Sequence, residues 1–342
     1  YSEVLRYLGK KKRNKHLLVG NGFSMAYDHK IFSYNALYKF IENLEDPVLS
    51  QLFKVINTKN FEMVMQQLDN FIEIAEAFGS DQSLIKQLQE ANQTLRNSLI
   101  NAIKELHPEH VFEVPEEKSK TCSRFLNEFL DHEGNKIFTT NYDLLMYWVL
   151  MRNKTERAID GFGREVENPD AYKTGEEFEY SDELIWGKHK DEQSVYYVHG
   201  TLPIFDNGID IIKEVYTNGH YLLENVKERL DRKEYPVFVT AGNGEEKLKH
   251  IMHNRYLTHC YENLCKIEGS LITFGFNFGE YDEHIIDAIN KAAKQGQRAG
   301  DKLFSIYIGV YSENDFNHII QIQDKFRCKV NMYDAKSAPL WN

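Results

Sequence analysis

Short apolar runs alternate along the chain with longer segments in which apolar residues recur every three or four positions. The apolar runs predict strands, and the longer segments predict helices. Six runs stand out, at residues 17–19, 137–139, 195–198, 235–240, 270–274 and 303–308. Consecutive apolar residues, interleaved with helices, are typical of a parallel sheet that is covered on both faces. The pattern therefore predicts an α/β fold with a Rossmann-like parallel sheet.

Residues 34–130 have the helical spacing almost throughout, and their helix-like runs contain no internal proline. We therefore expect one α/β domain over residues 1–342, with a large helical insertion at 34–130 after the first strand. Further helices are expected at 221–233 and 282–296. Residues 153–194 are polar and rich in glycine, which predicts a loop with short helices.

Glycine and polar residues follow the carboxyl end of each predicted strand. The segments are GNGFS (20–24), TTNYD (139–143), HGT (199–201), AGNG (241–244), GFNFG (275–279) and GVY (309–311). Because the carboxyl ends of parallel strands meet at one edge, these segments predict a polar pocket with close backbone approach. Met25 occupies the place of the third glycine or alanine of the dehydrogenase fingerprint, which argues against that class.

Composition narrows the class of protein. The 342 residues are 42% hydrophobic, which excludes wholesale disorder, and the net charge of −11 disfavours non-specific nucleic-acid binding. We interpret the basic residues 10–13 as a solvated lead-in. The four cysteines form no CxxC pair, so a zinc ribbon is not expected, and reduced thiols fit a cytoplasmic protein. No apolar run is long enough for a membrane span, and the first residues lack the apolar core of a secretory signal.

Three side chains at the predicted strand ends suit chemistry on a ligand. Asn141 is neutral and suits holding a water or a ribose hydroxyl, and Asp143 suits bonding an amide or the loop backbone. His199 can act as a general base near neutral pH. Each also has a structural interpretation: an Asx-type turn for the Asn141 segment and a core histidine for His199. His107 and His110 have no metal-site spacing, and we expect them at the surface.

The order of the motifs GNGFS, TTNYD, VHG and FGFN, followed by a last strand with Gly309 and Val310, resembles the sirtuin superfamily. The chain lacks the zinc module of protein-deacylating sirtuins and has Thr140 where they have glutamine. It is more similar to the bacterial sirtuin-like domains of anti-phage defence systems. This resemblance implies hydrolysis of NAD+ to nicotinamide and ADP-ribose without a metal. It also implies a homo-oligomer, a partner protein such as an ATPase or sensor subunit, or both. From the acidic charge and the lack of a long apolar run, we expect no direct contact with nucleic acid or membrane.

The resemblance also assigns roles to individual residues. Asn141 would position water and ribose, His199 would be the general base, and Asp143 would contact the nicotinamide side. The residues that would bind NAD+ are Gly20, Asn21, Gly22, Phe23, Ser24, Thr140, Gly200, Gly275, Phe276, Asn277, Gly309 and Val310. Two alternatives stay open: a protein lysine deacylase, and a non-catalytic NAD+ or ADP-ribose sensor in a defence complex.

Overall fold

A parallel sheet forms the centre of the computed structural model, which describes residues 1–29, 47–56, 61–166, 180–216, 220–232, 234–239, 244–294 and 302–342. Within these residues the sheet has six strands: β1 (Lys15–Val19), β2 (Ile137–Thr139), β5 (Val195–Tyr197), β9 (Gly269–Phe274), β10 (Leu303–Val310) and β11 (Lys329–Asp334). Their order is β11-β10-β9-β1-β2-β5, and every pairing is parallel. The predicted Rossmann-like α/β fold is confirmed.

A second sheet contains antiparallel strands only, again within the described residues. Its strands are β3 (Phe162–Val166), β4 (Tyr180–Trp186), β6 (Gly200–Asp206), β7 (Ile211–Lys213) and β8 (Pro236–Phe238). Their order is β3-β4-β7-β6-β8. Only two residues separate β5 from β6, so His199 lies where the chain passes from one sheet to the other.

Three strand predictions were wrong or incomplete. The run at 235–240 contributes the edge strand β8 of the antiparallel sheet. Pro236 has no N–H to donate to a neighbouring strand, and an edge strand tolerates this because only one of its sides is paired. Within 153–194, predicted as loop, the chain forms β3 and β4, whose partly exposed side chains give no apolar run. The sequence also gave no signal for β11, an edge strand of mixed polarity. The predicted turn at 241–243 lies outside the described residues.

Helices flank both sheets. They are α1 (Ser2–Lys11), α2 (Gly22–Tyr27), α3 (Pro47–Ile56), α4 (Phe61–Ala77), α5 (Gln82–Leu106), α6 (Glu116–Asn127), α7 (Leu145–Arg152), α8 (Leu222–Asp231), α9 (Gly244–His253), α10 (Arg255–Leu264), α11 (Glu283–Lys294) and α12 (Glu313–Ile322). Short 3-10 turns lie at Val111–Glu113, Glu280–Asp282, Gln323–Lys325 and Ala335–Ser337. The described helices include none that is long and apolar enough to cross a membrane.

Helices α3 to α6 lie within the predicted helical region 34–130. Residues 34–46 and 57–60 of this region lie outside the described residues. Buried side chains of these helices, such as Phe53 and Leu68, belong to the same apolar core as the strands of the parallel sheet. That this region is an inserted unit, and that residues 1–342 form one domain, stay predictions.

Candidate functional site

The carboxyl ends of the parallel strands lie side by side. Val19 of β1 pairs with Thr139 of β2 on one side and with Phe274 of β9 on the other, and Thr139 pairs with Tyr197 of β5. The ladder continues one residue further, because the N–H groups of the next residues still donate to neighbouring strands at 2.9–3.1 Å. The residues brought to this edge include Gly20, Thr140, Val198 and Gly275.

Two glycine turns pack directly against each other at this edge. The N–H of Gly22 donates to the carbonyl of Gly275 at 2.9 Å, and a Cβ on Gly22 would lie 2.5 Å from the Cα of Gly275. Gly275 has φ +64°, and a Cβ on Gly20 would lie 2.7 Å from the carbonyl oxygen of Gly275. The N–H of Phe23 donates to the carbonyl of Gly20. The contact between the turns thus requires these glycines, and two amide groups at the start of α2 already have acceptors within the protein.

Ser24, Asn141 and Asp143 form a buried hydrogen-bond network. The hydroxyl of Ser24 donates to Asp143 Oδ2 at 2.5 Å, and the amide Nδ2 of Asn141 donates to Ser24 Oγ at 3.0 Å. The backbone N–H of Leu145 donates to Asp143 Oδ1 at 2.9 Å. Burial raises the pKa of Asp143 above its ordinary 3.8, while these hydrogen bonds oppose the rise. Both carboxylate oxygens therefore accept hydrogen bonds from the protein itself, and Asp143 orients the hydroxyl of Ser24.

The network fixes the orientation of the Asn141 side chain. Ser24 has one hydroxyl proton, and it goes to the carboxylate of Asp143. Ser24 therefore accepts from Asn141, so the NH₂ group must face Ser24 and the amide oxygen must point away. Among the described residues, no hydrogen bond uses this oxygen. It is an oriented acceptor for a water or a hydroxyl group.

A buried histidine supports the loop that carries Asp143. His107 Nδ1 donates to the carbonyl of Pro108 at 2.8 Å, so its Nε2 is unprotonated and accepts the N–H of Leu144 at 3.1 Å. Burial lowers the pKa of His107 to about 4, consistent with a neutral ring. The expectation that His107 lies at the surface was wrong. Its position at the end of α5, beside Trp148, buries it.

His199 has a second histidine as its partner. Its Nε2 lies 2.8 Å from Nε2 of His284, and the two rings are stacked with 5.0 Å between their centroids. Both side chains are 1% exposed. Burial, followed by the nearby His284 and Lys247, holds the pKa of His199 well below its ordinary 6.5. His199 is therefore a neutral imidazole at physiological pH.

Lys247 and Asp282 form an ion pair beside the two histidines. The ammonium of Lys247 lies 3.0 Å from Asp282 Oδ1, and its side chain is 7% exposed. Burial and then the charge of Lys247 lower the pKa of His284 to about 3. The carboxylate of Asp282, in the 3-10 turn just before α11, neutralises Lys247. Sequence reasoning missed His284 and Lys247, although both occupy buried positions of amphipathic helices.

The two groups of candidate residues are neighbours along the backbone. The carbonyl of Tyr142 accepts from Thr201 Oγ1 at 2.9 Å and from the N–H of Leu202 at 3.0 Å. These bonds connect the Asn141 segment to the segment after His199. No hydrogen bond between described residues joins the Asn141 side chain to the His199 ring.

The other predicted ligand residues differ in exposure. Phe23 is buried against Trp341, whose Nε1 donates to its carbonyl at 2.9 Å, and Phe276 is buried against Phe278. Thr140 is buried at the end of β2, and Gly200 begins β6 with φ +76°. Asn277 is exposed, and Asn21, Gly309 and Val310 are partly exposed at the same edge. The roles of all these residues in NAD+ binding stay predictions.

No three His, Cys, Asp or Glu side chains are grouped as metal ligands anywhere in the described ranges, and the expectation of a metal-free site stays a prediction. Comparison with curated proteins finds no match. Comparison with protein families finds a match over residues 17–341 to the family described as a domain of unknown function, DUF4917. Because this match covers nearly the whole chain, the protein belongs to the DUF4917 family.

Proposed function

We propose that this protein is an NAD+ glycohydrolase of sirtuin-like type, which cleaves NAD+ to nicotinamide and ADP-ribose. The observation that carries the proposal is the Ser24–Asn141–Asp143 network, which orients the Asn141 amide oxygen at the sheet edge where His199 also lies. In open parallel sheets this edge is where ligands bind. A directed acceptor and a neutral imidazole are the groups that water delivery to a ribose carbon needs.

The bond to be broken joins the cationic nicotinamide ring to C1′ of the ribose. Nicotinamide leaves as a neutral molecule with the bonding electron pair, and the ribose develops oxocarbenium character. Asn141 accepts a hydrogen bond from the attacking water or a ribose hydroxyl, which places the oxygen for attack. Ser24 and Asp143 act indirectly, because they hold the amide in one orientation.

His199 removes a proton as the new C–O bond forms, directly or through a ribose hydroxyl. Its lowered pKa keeps the ring neutral and able to accept a proton at physiological pH. Positioned acid–base catalysis of this kind contributes about 10²–10⁴-fold in rate. Because a proton on the ring before reaction blocks this role, activity is expected to fall in acid.

The direct test is chromatography of NAD+ after incubation with the purified protein. His199→Ala and Asn141→Ala are expected to abolish product, and His132→Ala serves as the control because its side chain is 76% exposed. Cleavage retained in both site variants would refute the assignment. NAD+ binding without product would favour the sensor, and consumption of NAD+ only with an acetylated lysine peptide would favour the deacylase.

The proposed cellular role is depletion of NAD+ in the cytoplasm during phage infection, as an oligomer or with a partner protein such as an ATPase or sensor subunit. An exposed apolar stripe supports a protein contact: Phe71, Ile74 and Phe78 recur at helical spacing and are 60%, 54% and 85% exposed. The test compares NAD+ levels in infected cells that express wild type or His199→Ala. Light scattering of Phe78→Ser tests the contact, and an unchanged mass in solution would exclude this stripe.

A further inference from the structure

The ring nitrogens of His199 and His284 constrain each other. At an Nε2–Nε2 distance of 2.8 Å one nitrogen donates and the other accepts, so the two rings share a single proton between them. Both Nδ1 atoms are buried and have no hydrogen-bond partner in the described part of the chain. Buried ring nitrogens are normally satisfied, so this pair leaves one donor and one acceptor for another molecule.

We propose that His284 is a positioning residue that receives the shared proton of His199, so that the two rings act as one base. The inference rests on the function proposed above and extends it to a residue on a different element, at the start of α11. It uses the tautomer in which His199 carries its proton on Nε2 and has a free electron pair on Nδ1.

The proton balance of the step is simple. The C1′–N bond breaks and its electron pair leaves with nicotinamide, while the water oxygen bonds to C1′. The proton lost by this oxygen moves to Nδ1 of His199, and the proton on Nε2 of His199 moves to Nε2 of His284. The pair ends with one additional proton, on His284, which is later released to solvent. No oxidant, reductant or further reactant takes part.

Charges around the pair come from two helices. Lys247 and the half-buried ring of His250 lie on α9, and Asp282 lies in the 3-10 turn just before α11. Glu283, the first residue of α11, pairs instead with the exposed Lys325. The positive charge of Lys247 opposes protonation of the pair, and Asp282 offsets that charge. Removing Lys247 is therefore expected to make protonation easier, and removing the charge of Asp282 is expected to make it harder.

The kinetic test uses His284→Gln, because glutamine can keep a hydrogen bond to His199 and cannot take up a proton. We expect kcat for NAD+ cleavage to fall about 10²-fold, while KM changes little. The matched control is Tyr261→Phe, which removes a 3.0 Å bond to the backbone carbonyl of His284 and leaves its ring unchanged. If His284→Gln cleaves NAD+ with the kcat of the wild type, the role proposed for His284 is wrong and the proposed NAD+ hydrolysis stands. No cleavage by the wild type overturns the proposed function as well.

The pH profile separates proton acceptance from a structural role. The acid limb of kcat is expected to move to higher pH in Lys247→Met and to lower pH in Asp282→Asn. Shifts of the same sign in both variants would contradict the proposal.

A measurement that needs no turnover completes the test. Long-range ¹H–¹⁵N correlation of histidine-labelled protein reports the tautomer of each ring, with His199→Gln and His284→Gln to assign the signals. In the wild type we expect His199 to be protonated on Nε2 and His284 to be protonated on Nδ1. Two rings with the same tautomer would overturn the pairing, and the reverse assignment would overturn the proposed direction of proton transfer, whatever the outcome of the NAD+ assay.

Discussion

Four glycines allow the contact between the two turns to be measured by alanine substitution. Gly22 and Gly275 are crowded, because an added Cβ would lie 2.5 Å from the backbone of the opposite turn. Gly79 has φ +66°, close to the +64° of Gly275, and nothing lies within 4 Å of its Cβ position. Gly9 lies in α1 with open space around it and no unusual backbone angle. Gly9 thus has neither feature, Gly79 has only the left-handed backbone, Gly22 has only the crowding, and Gly275 has both.

The structure sets the size of each effect on the free energy of unfolding. Gly9→Ala is expected to stabilise the protein by about 0.5–1 kcal/mol, since glycine is poor inside a helix. Gly79→Ala is expected to destabilise it by about 1–2 kcal/mol through its backbone angle. Gly22→Ala is expected to cost about 1–3 kcal/mol through overpacking against backbone. Gly275→Ala has both costs, about 2–5 kcal/mol together.

Urea denaturation followed by circular dichroism gives the free energy from the midpoint and slope of each variant. NAD+ affinity is measured on the same proteins. If glycine is needed at position 22 only so that a ligand can approach, Gly22→Ala should lose affinity and keep wild-type stability. That outcome would refute the explanation by turn packing.

Three further predictions concern buried groups. The stability of the wild type should fall as pH drops from 6.5 towards 4, because His107 takes up a proton in this range when the chain is unfolded but not when the ring is buried. Denaturation at several pH values measures this fall. The variant His107→Gln should reduce its slope by up to about 1.4 kcal/mol per pH unit. Trp341→Phe keeps a ring beside Phe23 and loses one hydrogen bond, so calorimetry should show a loss of about 1 kcal/mol. Lys213→Met leaves the carboxylate of Asp160 without its ammonium at 2.5 Å and should cost about 3–5 kcal/mol. Adding Asp160→Asn should recover much of that loss in urea denaturation, and equal losses in the single and double variants would contradict the pairing.

The sequence was sufficient to predict the parallel sheet but insufficient for its full extent. The strands with all residues buried, such as β2, β5 and β9, give continuous apolar runs that mark them. β11 and β4 lie towards the edges of their sheets and have mixed burial, so neither shows a clear run. β8 has the composition of a parallel strand, and only its pairing with β6 shows that it belongs to the other sheet.

The same distinction applies to the candidate site. The GNGFS and GFNFG segments were expected to meet, because both follow strands of one parallel sheet. That they contact each other through Gly22 and Gly275 could not be predicted, since the contact depends on the adjacent pairing of β1 and β9. The TTNYD spacing likewise indicated a polar turn, but the direction of the Asn141 amide follows only from the proton that Ser24 gives to Asp143.

The residues near His199 could be recognised in the sequence as titratable residues on the buried face of a helix. This requires knowing which positions of each helix face the core. In α11 the buried stripe contains His284 together with Ala288, and in α9 it contains Lys247 together with Ile251. A titratable residue in a buried stripe loses hydration and must find compensation, so it marks either a polar contact or a site. Periodicity can reveal each such residue separately. It cannot show that the two helices meet beside His199, because that depends on how residues far apart in the chain pack. Buried titratable residues on amphipathic helices are therefore the feature to search for when a strand-end histidine has no visible partner in sequence.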